Sequence, residues 1–301
     1  MSSSLVQTQS RVIGSLPPVG PISFGLWRFT TDDPGQGREL IETALDAGMN
    51  LIDTADIYGF DGSPESFGTV EATFGKVLSS APDLRDRMVL ATKGGIIPPR
   101  PYDSSPKYLR EACEASLRRL NTDVIDLYQI HRPDLFTHPA DVAITLAALR
   151  AEGKIREVGV SNHTPAQVAA LQAHLEFPIV ANQPEFSAAH LDPIRDGTFD
   201  QCMELKIVPM AWSPLGGGRL ATGDDVAAEL ITELDRLADR EGVDRTQIAL
   251  AFVLAHPSAP IAIIGTQNPD RIRSSCAAMG VTLSRDDVYA IVEASEGQPL
   301  P

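Results

Sequence analysis

The 301-residue chain is poor in cysteine, in aromatic residues and in positive charge, and it has no long apolar run. Each shortage excludes a class of protein. The three cysteines, Cys113, Cys202 and Cys276, lie far apart and form no CxxC or metal-type spacing. An odd, scattered set suits reduced thiols in a cytosol rather than a disulfide framework, and no metal is expected. The most apolar stretch, 248–264, is broken by His256-Pro257 and by Pro260, and its longest clean run, IALAFVLA, is too short to span a membrane. The opening MSSSLVQTQS has neither a basic nor an apolar segment of the kind a signal peptide needs, so none is expected. Twenty-five Lys and Arg face 40 Asp and Glu, a net charge of −15. That balance argues against bulk nucleic acid and against an anionic membrane surface. The expectation is a cytoplasmic protein with a small-molecule partner. If that partner is an anionic nucleotide, its cationic seat must be local.

What the chain does have is a repeated pattern. Eight short apolar runs each end on a polar or aromatic residue: ISFGLW into Trp27 and Arg28, NLIDT with Asp53, MVLATK with Lys93, VIDLYQIH with His131, EVGVSN with Ser161 and Asn162, PIVANQ with Gln183, IVPMAWS with Trp212 and Ser213, and IAIIGT with Gly265 and Thr266. Helical spacing fills the gaps, at 38–47, 65–78, 106–120, 139–151, from Thr164-Pro165, and at 198–205, 226–240, 246–255, 269–279 and 284–294. Strict alternation of strand and helix implies a parallel sheet, and eight strands close it into an α/β (β/α)8 TIM barrel, a single domain over residues 1–301. In such a barrel the active site is built at the C-terminal strand ends. All eight polar ends therefore converge on one mouth.

The second to fourth strand ends carry Asp53 with Tyr58, Lys93 and His131. A tyrosine is a reluctant acid at neutral pH, with a reference pKa near 10. A lysine ammonium about 4 Å away favours the phenolate by up to ~4 kcal/mol at an effective dielectric of 20, before desolvation is counted. Asp53 is placed to hold Lys93 charged, and His131 to hydrogen-bond the oxygen that Tyr58 protonates. This set delivers a proton to a carbonyl oxygen. No side chain supplies hydride, so a cofactor is implied. The later strand ends suit nicotinamide: Ser161, Asn162 and Gln183 for a carboxamide, and Trp212 as a flat face for the ring. In SPLGGGRL three glycines allow close backbone approach to a pyrophosphate, with Arg219 beside them. Residues 266–273 end the eighth strand and open a helix, with Arg271 and Arg273 available to an adenosine phosphate. The run 216–221 also matches a dinucleotide fingerprint, GxGxxA, but it follows six βα units and nothing helical is expected directly after it.

At these residues the sequence resembles the aldo-keto reductase family along nearly its whole length. NLIDTADIYG, ATKGG, LYQIHRPD, GVSN, NQPEFS and WSPLGGG stand in the family's order, and HRPD, GVSNHTPAQ, DGTFDQ and PMAWSPLGGGRL resemble its YdhF-like bacterial branch. The resemblance implies NADPH-dependent reduction of an aldehyde or ketone, with Tyr58 as acid, Lys93 and Asp53 tuning it and His131 orienting the substrate. It implies cofactor contacts from Ser161, Asn162, Gln183, Trp212, Ser213, Leu215, Gly217, Arg219, Gly265, Thr266, Arg271 and Ser275. Trp27 matches a family pocket aromatic. Trp212 replaces a frequent stacking tyrosine, Gly265 and Thr266 a frequent Lys-Ser pair, and Ser275 a frequent asparagine at the adenine. Arg28 is read as a surface residue, an acidic substrate being the other account. The rival function is a catalytically weak, cofactor-binding redox regulator of the same fold.

Overall fold

The computed structural model describes residues 4–31 and 33–301. Eight strands, β1 (Ile22–Gly25), β2 (Leu51–Asp53), β3 (Val89–Gly94), β4 (Ile125–Ile130), β5 (Ile155–Ser161), β6 (Ala181–Gln183), β7 (Val208–Ala211) and β8 (Ile261–Ile264), pair in sequence order into a closed barrel. Every pairing is parallel, β8 closing on β1 through Ser23 opposite Ile263. The helices are α1 (Pro34–Asp46), α2 (Thr69–Ser80), α3 (Pro106–Leu120), α4 (Pro139–Ala151), α5 (Pro165–Gln172), α6 (Thr198–Leu205), α7 (Arg219–Thr222), α8 (Ala228–Glu241), α9 (Arg245–Leu254), α10 (Pro269–Ser275) and α11 (Arg285–Glu296).

Helix starts follow local chemistry. Proline stands at the first turn of α1, α3, α4, α5 and α10, where its missing N–H costs nothing. Thr164 and Gln167 cap α5 reciprocally. The spacing that suggests a helix from Glu65 yields one only from Thr69, because Gly68 takes φ 80° and breaks the run. Residues 64–66 form a separate 3-10 turn. One helical turn, α7, does follow the glycine loop, against expectation.

Alternation along the strands sets the layers. Leu51, Val89, Ala91, Leu127, Ala181, Met210 and Ile261 fill the barrel interior. Its N-terminal end is plugged by a hairpin, Arg11 bridging Val19, which inserts Ile13, Leu16 and Val19. The inward Glu157 accepts from the Ser15 amide of that hairpin at 2.7 Å. The other strand faces, with Ile52, Leu90, Tyr128 and Val158 among them, pack under the helices. Two residues beyond the last inward apolar residue of β2, β3, β4 and β6 the same face presents Asp53, Lys93, Gln129 and Gln183, all buried. The apolar barrel thus ends in a polar layer at its C-terminal mouth. No helix among the described residues is long and apolar enough to cross a membrane.

Candidate active site

Lys93 is fully buried and its Nζ donates to Asp53 Oδ2 at 2.6 Å, to the Thr54 carbonyl at 2.9 Å and to Tyr58 Oη at 3.4 Å. The second carboxylate oxygen of Asp53 accepts from the amide nitrogens of Gln183 at 2.9 Å and Gln129 at 3.3 Å. An anion between two amides dictates their orientation: each must turn its NH2 inward. The side-chain Oε1 of Gln183 is therefore left as an acceptor.

Tyr58 sits on the loop after β2, with Gly59 next at φ 93°. A Cβ on Gly59 would lie 2.1 Å from the Thr69 hydroxyl, so the turn that presents Tyr58 needs glycine there. Edge-on contacts hold the phenol ring, at 4.9 Å from Trp27 and 5.9 Å from His131 between centroids. Burial pushes the Tyr58 pKa up, and the nearby Lys93 ammonium offsets this only in part. Lys93 does tune the phenol in the expected direction, but desolvation wins, so Tyr58 is firmly protonated at neutral pH. Burial pulls Lys93 down, yet Asp53 and Tyr58 more than compensate and it stays charged. His131 is driven well below the ordinary imidazole range by burial, then by Lys93 and Arg132. It is a neutral imidazole, and its Nδ1 has no hydrogen-bond partner among the described residues.

From this cluster a cleft of about 1120 Å³ runs across the mouth to α10, past Trp27, Tyr58, His131, Trp212, Leu215 and Arg271. That is just above the usual range for ligand pockets, roughly 300–1,000 Å³. Asp53, Ser161, Asn162, Gln183, Ser213, Gly217, Gly265, Thr266 and Ser275 also border it. Three of these polar groups are spent on each other. Ser161 Oγ donates to the backbone carbonyl of Gln183 at 2.9 Å and accepts from Asn162 at 2.8 Å, while Asn162 accepts from Trp212 Nε1 at 2.9 Å. Asn162, at φ 56°, thus orients the indole plane.

Two arginines stand elsewhere than expected. Arg219 turns back on its own loop, donating to the Gly216 carbonyl at 2.9 Å and the Asp225 carbonyl at 3.4 Å, and does not border the cleft. Gly216, Gly217 and Gly218 all take positive φ, and this curl brings Arg219 over its own carbonyls. Arg273 pairs with Asp270 at 3.0 Å on the surface. The first-turn amides of α10, at Asp270 and Arg271, already donate to the Asn268 side chain, so the charged donor left there for a phosphate is the Arg271 guanidinium. Arg28 is exposed, but it reaches across the cleft to donate to the Gly217 carbonyl at 3.0 Å.

Sequence reasoning missed Gln129, Arg132, Arg245 and Asp235. Gln129 was recoverable, since Leu127, Gln129 and His131 alternate on one face. Arg245 and Asp235, paired at 2.6 Å beside the far end of the cleft, come from helices that no strand-end pattern marks.

The aldo/keto reductase family model matches residues 21–296. The chain is 48% identical over 286 residues to a 6-dehydroglucose reductase of Novosphingobium aromaticivorans, 94% of each protein being covered. It is 37% identical over 302 residues to the oxidoreductase YdhF of Escherichia coli, covering 95% of this chain and 98% of that one. A solved aldo/keto reductase from Klebsiella pneumoniae, in complex with NADP and acetate, superposes with a TM-score of 0.77 at 25% identity, over 98% of this chain and 97% of that one. A closed eight-stranded barrel with a buried Asp-Lys pair under a tyrosine at its mouth defines an oxidoreductase scaffold. The chain belongs to the aldo/keto reductase family, with YdhF-like relatives.

Proposed function

We propose that this protein is a cytoplasmic, NADPH-dependent reductase of aldehydes or ketones, and that sugar-type aldehydes such as 6-dehydroglucose are the first substrates to test. One observation carries the reading. The protonated Tyr58 hydroxyl stands 3.4 Å from a buried ammonium and beside a neutral imidazole, in a cleft of about 1120 Å³ that runs on to Arg271.

The residues fit the cofactor. Gln183 offers its side-chain Oε1 to a carboxamide NH2, with Ser161 beside it. Trp212 offers an aromatic face, held by Asn162. Ser213, Leu215 and Gly217 border the stretch a pyrophosphate would cross, and Gly265, Thr266, Arg271 and Ser275 surround the adenosine end. Bound there, the nicotinamide supplies a hydride to the carbonyl carbon. Tyr58 gives its proton to the carbonyl oxygen as that oxygen gains negative charge, and Lys93 stabilises the phenolate left behind. Neutral His131 has one N–H with which to hold the oxygen in line. Asp53 keeps Lys93 charged and fixed, and Trp27 walls the substrate side.

The test is a panel of aldehydes and ketones, including 6-dehydroglucose, incubated with the purified protein while NADPH absorbance is followed. Consumption of NADPH with formation of the alcohol supports the reading. Tight NADPH binding with no turnover on any member would favour the redox regulator instead.

A further inference from the structure

Four arginines border the cleft: Arg28, Arg132, Arg245 and Arg271. Three have evident work. Arg28 holds the Gly217 carbonyl, Arg245 forks onto both oxygens of Asp235 at 2.6 Å, and Arg271 stands at the end assigned above to adenosine. Arg132 is different. It follows His131 directly, is half-buried, and makes no hydrogen bond or ion pair among the described residues. Its guanidinium lies 5.7 Å from the centre of the Trp212 ring, a contact that is weak beside a charge-assisted hydrogen bond.

The surroundings limit what this cation is for. Apart from Asp53, whose carboxylate is taken up by Lys93, Gln129 and Gln183, and Arg28, which is turned to the Gly217 carbonyl, the catalytic end of the cleft is aromatic or neutral, with Trp27, Tyr58, His131 and Trp212. Lys93 lies beneath the floor, satisfied by Asp53. Among the described residues, Arg132 is thus the cation next to His131 that borders the cleft without a hydrogen-bond partner. A planar fork of N–H groups matches two neighbouring oxygens. The chain's charge of −15 disfavours the approach of an anion.

We propose that Arg132 is a specificity-determining residue that selects hydroxylated aldehydes, donating two N–H bonds to neighbouring hydroxyl oxygens of the substrate's tail while its carbonyl lies between Tyr58 and His131. This rests on the carbonyl-reduction reading and names what the substrate must carry. It also separates by function the two cleft arginines without a partner among the described residues, Arg271 for the cofactor and Arg132 for the substrate.

The experiment measures kcat/KM with NADPH for glyceraldehyde (hydroxylated), butanal (apolar) and succinic semialdehyde (acidic), in the wild type, Arg132→Leu and Arg132→Lys. The expected result in Arg132→Leu is a fall of roughly ten- to a hundredfold in the ratio of glyceraldehyde to butanal, expressed mainly in KM. Lysine should restore only part of it, keeping the charge but not the fork. NADPH affinity, read from tryptophan fluorescence, should stay within about threefold. An unchanged ratio overturns the assignment. So does a loss confined to succinic semialdehyde, which would make Arg132 a reader of acids, or a tenfold loss of NADPH affinity, which would make it a cofactor residue. A wild type that reduces none of the three removes the carbonyl-reduction reading itself, whereas an unchanged ratio in an active enzyme removes only this inference.

Discussion

Lys93 Nζ stands 2.6 Å from Asp53 Oδ2, with both groups shut away from water at the top of the barrel. A buried pair of this kind has little net stabilising effect compared with apolar side chains, but removing one partner strands the other charge. The pair is thus kept for its position under Tyr58, and the site depends on it being complete.

Asp53→Ala should therefore destabilise the fold as well as lower activity, by about 3–5 kcal/mol, because Lys93 is left charged and buried. Urea unfolding measures this. Asp53→Asn combined with Lys93→Met should recover much of the stability and none of the activity. A double variant no more stable than Asp53→Ala would contradict the account.

Cofactor selectivity should rest on Arg271. A hydrogen bond to a charged group contributes about 1.5–3 kcal/mol, so Arg271→Ala should weaken NADPH by roughly ten- to a hundredfold and leave NADH almost unchanged. Titrating both cofactors against both proteins decides it, and equal losses would make Arg271 structural.

Trp27 and Trp212 are the only tryptophans. With the Trp212 ring fixed by Asn162 and facing the cleft, NADPH should quench the fluorescence of the wild type and much less that of Trp212→Leu. An undiminished quench in the variant would move the nicotinamide away from that ring.

Acid should loosen the fold through its buried histidines. Unfolded, an imidazole titrates near 6.5; folded, burial holds His163 down to about 4 and lowers His131 as well. For such depressed groups stability is complete above about pH 6.5 and is lost as pH falls toward 4, by about 3 kcal/mol for His163 alone. His163→Gln should thus narrow the difference between urea midpoints at pH 7 and pH 4. A variant with the wild-type slope would show that His163 carries none of it.

The barrel and its mouth were legible because eight apolar runs alternate with helical segments and each run closes on a polar or aromatic residue. Once Asp53, Lys93, Gln183 and His131 close apolar runs, their direction and common end follow. The sign of the Tyr58 shift was not legible, since it is a contest between burial and Lys93 that only the packed site decides. Arg219 misled for a related reason. SPLGGGRL shows that the loop can curl, but not that the curl returns the guanidinium to the Gly216 carbonyl. The hairpin plug was missed because Ile13, Leu16 and Val19 carry no strand or helix period.

The central claim is that Tyr58 is the proton donor, and Tyr58→Phe tests it most directly. Single-turnover reduction of a reactive aldehyde by NADPH-loaded protein should slow by roughly 10²- to 10⁴-fold, with the NADPH dissociation constant unchanged because Lys93 and the cleft remain. A variant that reduces the aldehyde at close to the wild-type rate would contradict the account.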